Sequence, residues 1–546
     1  MDYNNNNTNN NLQNAALLME EQPTSTTRIL HHDDETKQSN TPSKHKRLKS
    51  LDIVRGFTIA LMIFVDDITT DKDGYPHINH SPWNNITLAD FVMPWFLFMV
   101  GCSMAFSMRK FKQSYETKIK GTKYALTRAI KLYFLGVLLQ GGGFFRNYNY
   151  GYDLSTVRLC GILNRIGFAY FVVAMFELWL PNNSCNQQQG RQNKVSSPHL
   201  RLFLNNSWKW FAASVFLMIY LCMVLFTYVP NYKSHFKWEY VKKDIGHNRT
   251  KIKQLQVYLP DDEMITIECN NYGYETIIGV ANGTPECSAI GVYDRAIFKP
   301  KRLRTWMSTR LSICSSCSPA NCPKPTAPEW CGAYMYDPEG FVATINTVTT
   351  TWIGLHFGLV LKHPAMTGVK TMDRLFHWYG FASFLIIIGL IIHVTAFMPM
   401  NKQLWSLSYS LFMSGTCGFS LAIVYTCLDV DMSECKPWKQ RLQRLGTRIF
   451  KPLQCMGMNA ILVFCWHGPA EELLQAVYIT TGNNPLESDV ATKYTIMSWF
   501  LNLLESITGE SDPNSRSNSM LYVCIKITIY FIVTVYLANI GYFWKV

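Results

Sequence analysis

Ten stretches of about 20 predominantly apolar residues punctuate the chain, separated by polar blocks in which the charge is concentrated. They lie at about 51–66, 87–108, 123–143, 156–180, 208–229, 341–361, 376–398, 405–428, 452–479 and 520–543. At about 1.5 Å of rise per residue, that length spans a bilayer core of roughly 30 Å, so the pattern predicts transmembrane helices. Two runs are less uniform: the third holds Lys131 and the Gly141–Gly143 run, and the ninth holds His467, Glu471 and Glu472. The fold class predicted is an all-α polytopic membrane protein of about ten transmembrane helices with a cysteine-rich luminal loop domain.

Composition agrees. Only 16% of residues are charged, against about 25% in ordinary soluble proteins. The formal net charge of +13 points less to nucleic acid than to topology, because no basic patch is interleaved with base-stacking aromatics. KHKRLKS, RKFKQSYETKIKGTK, HLRLF, KHPAMTGVKTMDR and KPWKQRLQRLGTR all fall on one side if the spans alternate. DDITTDKDG, MPMNKQ and the loop around 481–519 fall on the other. The positive-inside rule makes the basic side cytosolic, and an even number of spans places both termini there. The start MDYNNNNTNNNLQ has no apolar signal region and is too polar to build a core. The chain is therefore read as a disordered cytosolic tail at 1–46, a first membrane half of about five helices at 47–229, a luminal cysteine-rich loop at 230–340 and a second membrane half at 341–546.

Of the 16 cysteines, six gather in that long loop: Cys269, Cys287, Cys314, Cys317, Cys322 and Cys331. An even cluster on the non-cytosolic side predicts disulfides. CSSC at 314–317 also has zinc-knuckle spacing, but no histidine accompanies it at ligand spacing, so no metal is expected. Asn248-Arg-Thr and Asn282-Gly-Thr fit glycosylation sequons.

Ionisable groups inside spans are costly, so each needs a partner or a task. Asp52 and Arg55 are three apart on one helical face, either a structural pair or a site for an anionic ligand such as a phosphate. Asp66 and Asp67 close the first span. Asp90 opens the second, where it can cap the helix or orient an imidazole. His77 and His80 occupy the short turn between these spans, with Trp83 and Asn84 beside His80 in HSPWNN. Histidine exchanges protons near neutral pH, whereas Trp83 can equally be an interfacial anchor. Asn346, His356, Asn459 and His467 sit within later spans and can be satisfied interhelical hydrogen bonds or ligand contacts. No P-loop, Rossmann fingerprint, serine-hydrolase elbow or HExxH is present.

The blocks RLKSLDIVRGFTIALMIFVDD, HSPWNNITLADFVMPWFLFMVG, YDPEGFVATIN and GMNAILVF resemble the heparan-alpha-glucosaminide N-acetyltransferase family, in a short form lacking its N-terminal luminal domain. The resemblance covers about 47–543. It implies a transmembrane transferase that moves the acetyl group of cytosolic acetyl-CoA to a luminal amino sugar, such as a terminal glucosamine of heparan sulfate. The family's catalytic motif His-x-x-Trp-Asn falls on His80, Trp83 and Asn84, and its Ala-Asp motif on Asp90. Its Asp-x-x-Arg-Gly falls on Asp52 and Arg55. The family asparagine at the luminal end of the first shared span is Asp66 here, and a Gly-His pair is Trp466-His467.

The resemblance implies His80, Asn84 and Asp90 as catalytic. Asp52, Arg55, Asp66, Trp83, Asn346, Asn459 and His467 are the expected substrate or CoA contacts. Neutral His80 can deprotonate the acceptor, or attack first and carry the acetyl group itself. Asn84 or the Trp83 indole can donate to the oxyanion, and Asp90 can fix the imidazole tautomer. Acetyl-CoA is the implied co-substrate, and the partners are a glycan acceptor, the bilayer of a lysosome or other endomembrane, and in one assembly a second copy forming a homodimer. The other function class the embedded histidines and acids allow is a proton-coupled small-solute transporter.

Overall fold

A computed structural model describes residues 48–68, 77–78, 80–81, 83–140, 157–181, 197–234, 236–244, 250–258, 265–274, 287–299, 302–303, 336–362, 369–430, 436–476, 478–481, 492–495, 503, 506–508 and 516–544. The tail at 1–46, the sequon asparagines Asn248 and Asn282, and Cys314, Cys317, Cys322 and Cys331 lie outside the described residues.

Each of the ten apolar runs contains helix among its described residues. In chain order they form α1 (Lys49–Ile68), α2 (Val92–Ser107, entered through a 3-10 turn at Leu88–Phe91), α3 (Tyr115–Gln140) and α4 (Ile162–Trp179). After the short α5 (Pro198–Asn205) comes α6 (Ser207–Leu225). A small helix α7 (Ala289–Phe298) precedes α8 (Phe341–Lys362), α9 (Thr371–Val394) and α10 (Leu407–Leu428). The amphipathic α11 (Pro437–Ile449) then leads to α12 (Lys451–Met458), α13 (Ala460–Ala476) and α14 (Arg516–Asn539). Among the described residues, six helical segments are long and apolar enough to cross a membrane: Leu88–Ser107, Ile162–Trp179, Ser207–Leu225, Thr371–Val394, Leu407–Leu428 and Ser517–Asn539. The chain is an all-α polytopic membrane protein in its main body.

Two boundaries differ from the apolar pattern. The ninth run is not one helix, because the backbone turns at Asn459 between α12 and α13. The fifth run ends at Leu225, and its last residues pair as a strand. From there the loop carries three antiparallel pairs: β1 (Tyr228–Val229) with β6 (Asn271–Tyr272), β2 (Tyr232–Ser234) with β5 (Ile265–Ile267), and β3 (Phe236–Asp244) with β4 (Thr250–Tyr258). Cys269 and Cys287 are joined by a disulfide. A further hairpin, β7 (Tyr478–Thr481) with β8 (Thr492–Thr495), follows α13.

Helix α8 is the central post. It packs on α2, α4, α6 and α10, and every residue from Val342 to Val360 except Thr344 is buried. Thr344, Thr347 and Thr351 satisfy their hydroxyls by bonding the preceding turn, as Thr351 Oγ1 does to the Thr347 carbonyl at 3.0 Å. The helix's own Trp352, and Trp378 and Trp405 from neighbouring segments, are fully buried. The YDPEG motif sets its entry. Asp294 of α7 accepts the Asp337 N–H at 3.1 Å and the Phe341 N–H at 3.0 Å. Arg158 pairs with Asp337 and Glu339, and Arg165 Nη2 donates to the Pro338 carbonyl at 2.7 Å. Burial beside Asp337 pushes the Asp294 carboxyl up to about 7.

Helices α1 and α12 approach so closely that glycine is needed on both. A Cβ on Gly56 would collide with the Leu453 carbonyl, and one on Gly457 with the Asp52 carbonyl. We therefore expect Gly457→Val to destabilise the protein by about 1–3 kcal/mol. The check is the thermal midpoint in detergent, and an unchanged midpoint would mean the two helices are free to separate.

Candidate active site

Asp90 organises the site. It is the third residue of the 3-10 turn that opens α2, and its side chain has no exposed surface. Its Oδ2 accepts from the Thr87 N–H at 3.1 Å, the Thr87 hydroxyl at 3.1 Å and the Ser81 N–H at 3.2 Å. That is the reciprocal bonding by which an acidic side chain satisfies free N–H groups where a helix begins. Its Oδ1 faces His80 Nδ1 at 2.8 Å.

The His80 loop is stitched to a second loop between α9 and α10. Asn84 forms an isolated antiparallel bridge with Asn401, and its Oδ1 accepts from Asn401 Nδ2 at 3.2 Å. The Asn85 N–H donates to the Met400 carbonyl at 2.8 Å from a left-handed backbone, φ +77°, which asparagine tolerates better than most residues. The Tyr409 hydroxyl of α10 donates to the Asp90 carbonyl at 2.6 Å. This docking delivers Lys402, whose Nζ lies 2.8 Å from His80 Nδ1, 3.3 Å from His80 Nε2 and 3.4 Å from Asp90 Oδ1.

His80 keeps 36% of its side chain exposed, enough for a substrate to reach it. Lost hydration and then the Lys402 charge lower its pKa below the ordinary 6.5, outweighing Asp90 and Asp66, which act the other way. That shift favours the neutral imidazole. With Nδ1–H turned to Asp90, the lone pair of Nε2 is the one available for chemistry.

The other candidates separate. Asn84 is exposed at the rim. Asp66 is exposed at the end of α1, and its charge reaches His80. Trp83 instead packs against Tyr336, with ring centroids 5.5 Å apart, which makes it an anchor for the loop. Asn346 donates to the Trp405 carbonyl at 2.7 Å and the Ser410 hydroxyl at 3.0 Å, supporting the Lys402 loop from behind. Asn459 holds the C-terminal segment, accepting the Trp544 N–H at 3.1 Å. His467 belongs to another cluster, 3.5 Å from Asp67, which Lys526 meets at 2.9 Å.

Arg55 lies toward the opposite end of α1, where it binds Asp52 at 3.1 Å and the Ser103 hydroxyl at 2.5 Å. Asp66 is eleven positions further along the chain, about 16 Å along a helix axis. Among the described residues, no group of three or more His, Cys, Asp or Glu is placed to hold a metal.

Residues 47–186 match the family model described as heparan-alpha-glucosaminide N-acetyltransferase, catalytic. The chain is similar to these transferases. The Mus musculus heparan-alpha-glucosaminide N-acetyltransferase is 28% identical over 447 residues, covering 79% of this chain and 54% of the relative. The Homo sapiens protein of the same name is 26% identical over 429 residues, covering 77% and 52%. The chain thus spans about half the length of the curated relatives it matches. His80, Trp83, Asn84, Asp90, Asp52, Arg55 and Asp66 all fall inside the segment that matches the transferase catalytic model. Lys402 falls outside it and is the residue that sequence reasoning missed. Its only signal is a lysine in MPMNKQ, on the side otherwise poor in basic residues.

Asp90→Ala would strand His80 and Lys402 and free the Ser81 and Thr87 donors. Removing one partner of a buried pair costs about 3 kcal/mol or more, so the thermal midpoint should fall sharply. A midpoint equal to wild type would show that the carboxylate does not hold the loop.

Proposed function

We propose that this protein is a membrane-embedded acetyltransferase that moves the acetyl group of acetyl-CoA to an amino-sugar acceptor, such as a terminal glucosamine of heparan sulfate. The observation that carries this reading is a solvent-reachable imidazole whose Nδ1 is held 2.8 Å from the buried Asp90, within the segment matching the transferase catalytic model.

Two routes fit that imidazole. In one, Nε2 takes the proton of the acceptor ammonium, whose nitrogen then attacks the thioester carbonyl and expels the CoA thiolate. In the other, Nε2 attacks the thioester first, CoA leaves as thiolate, and the acceptor amine then takes the acetyl group from the imidazole. In both, Asp90 keeps the reactive tautomer, and the Asn84 side-chain amide is the rim donor suited to the developing oxyanion. The basic segments around the Arg55 end favour a cytosolic donor, with Arg55 suited to CoA phosphates. The His80 end and the segment 230–340 then face the lumen of a lysosome or other endomembrane, and both termini are cytosolic.

The buried Asp67–His467–Lys526 cluster favours a second reading, a proton-coupled transporter of a small solute. That protein would move its solute without consuming thioester.

The test is CoA release from acetyl-CoA by the purified protein in lipid nanodiscs, with glucosamine and other amino sugars as acceptors. Acceptor-dependent release is expected, and His80→Ala should lower it at least ~100-fold while helicity is unchanged. Wild-type release from His80→Ala would remove His80 from the reaction. No release with any acceptor would favour the transporter.

A further inference from the structure

Lys402 stands where its charge is least expected, against a histidine whose carboxylate partner is already well supplied. Asp90 receives the Ser81 N–H, the Thr87 N–H, the Thr87 hydroxyl and His80 Nδ1. A fifth donor is not needed to satisfy it. Lys402 also makes no in-plane hydrogen bond to the ring. The two imidazole nitrogens point their in-plane directions apart, so an ammonium 2.8 Å from one and 3.3 Å from the other stands over the ring rather than along either lone pair. It leaves Nδ1–H to Asp90 and does not occupy the in-plane direction of Nε2.

The chain invests structure in this placement. The Asn401 side chain accepts the Leu404 N–H at 2.9 Å, and the Asn401 N–H donates to the Ser406 hydroxyl at 3.0 Å. Trp405 closes the loop with a left-handed backbone, φ +53°, a strained conformation for so bulky a residue. It is kept there by full burial, by its indole N–H donating to Thr350 at 3.2 Å and by the Arg165 guanidinium 4.8 Å over its ring.

We propose that Lys402 is a positioning residue that holds His80 in its unprotonated form and thereby sets the acid limit of the reaction. This rests on the acetyl-transfer reading above. Among the described residues, the charged groups facing His80 are Asp90 from the 3-10 turn, Lys402 from the α9–α10 loop and Asp66 from the end of α1. Both carboxylates favour an imidazolium, which can neither remove a proton nor attack a carbonyl. Lys402 is the charge that opposes them. Taking it away leaves two anions facing the ring, and His80 then gains its proton at higher pH.

The sign is testable without turnover. Diethyl pyrocarbonate acylates neutral imidazole, and mass spectrometry of the peptide carrying His80 reads its modification as a function of pH in the intact protein. Lys402→Met should raise the His80 midpoint by about one pH unit, and Lys402→Arg should restore it. The acid limb of acceptor-dependent CoA release should move by the same amount. Lys402→Gln serves as a second neutral variant if the methionine protein does not fold. A midpoint that stays in place in the neutral variants, or one that moves while the activity limb does not, overturns the proposal. A midpoint that moves in a protein with no CoA release from any acceptor keeps the lysine's hold on the ring and removes the transfer reading instead.

Discussion

A carboxylate without exposed surface survives only when donors surround it, and Asp90 draws those donors from its own loop and from the α9–α10 loop docked against it. The Thr87 and Ser81 N–H groups come from the same short loop, and His80 from its far side. Lys402 arrives from a loop 322 residues distant in the chain. The Tyr409 hydroxyl meanwhile ties the Asp90 main chain to α10. One acid therefore fixes the start of α2, the direction of an imidazole and the docking of the α9–α10 loop at once.

The same site holds its charges in tension. His80 has an acid on one side and an ammonium over its face, and lost hydration decides in favour of the neutral ring. A protonated imidazole paired with Asp90 would be the simpler electrostatic arrangement, yet it would have no lone pair to offer. Rigidity in the surrounding shell makes the less obvious state durable. Asn346, Trp405 and the Asn401 bonds hold the lysine loop from behind, and Trp83 on Tyr336 holds the histidine loop from the front.

Distance along α1 organises the rest. Arg55 lies in its N-terminal half and Asp66 near its C-terminal end, and the close glycine contact with α12 keeps the Arg55 part in register with the second half of the chain. The central α8 does the same for the core. It is buried nearly all round, and its entry is clamped by Asp294, Arg158 and Arg165 acting on the YDPEG segment.

Helical spans, the Asp52–Arg55 pair and the His80–Asp90 partnership were all legible in the chain itself, because each depends on local spacing: a run long enough to cross a bilayer, three residues on one helix face, a turn short enough to fold back. Asp90 reads as either a helix cap or an imidazole partner from sequence, and its two oxygens let it be both. Other choices belong to the tertiary structure alone. Trp83, Asn346 and Asn459 are residue types that serve a ligand or a neighbouring helix equally well, and only packing assigned them to Tyr336, to the Trp405 carbonyl and to the C-terminal segment. The strands of the 230–340 loop and the break at Asn459 were hidden for a similar reason, since hydropathy reports burial and not where a backbone turns. Lys402 was the least visible of all. Its meaning is a distance of 2.8 Å to a ring hundreds of residues away, and no local pattern encodes a contact that exists only after the helices have packed.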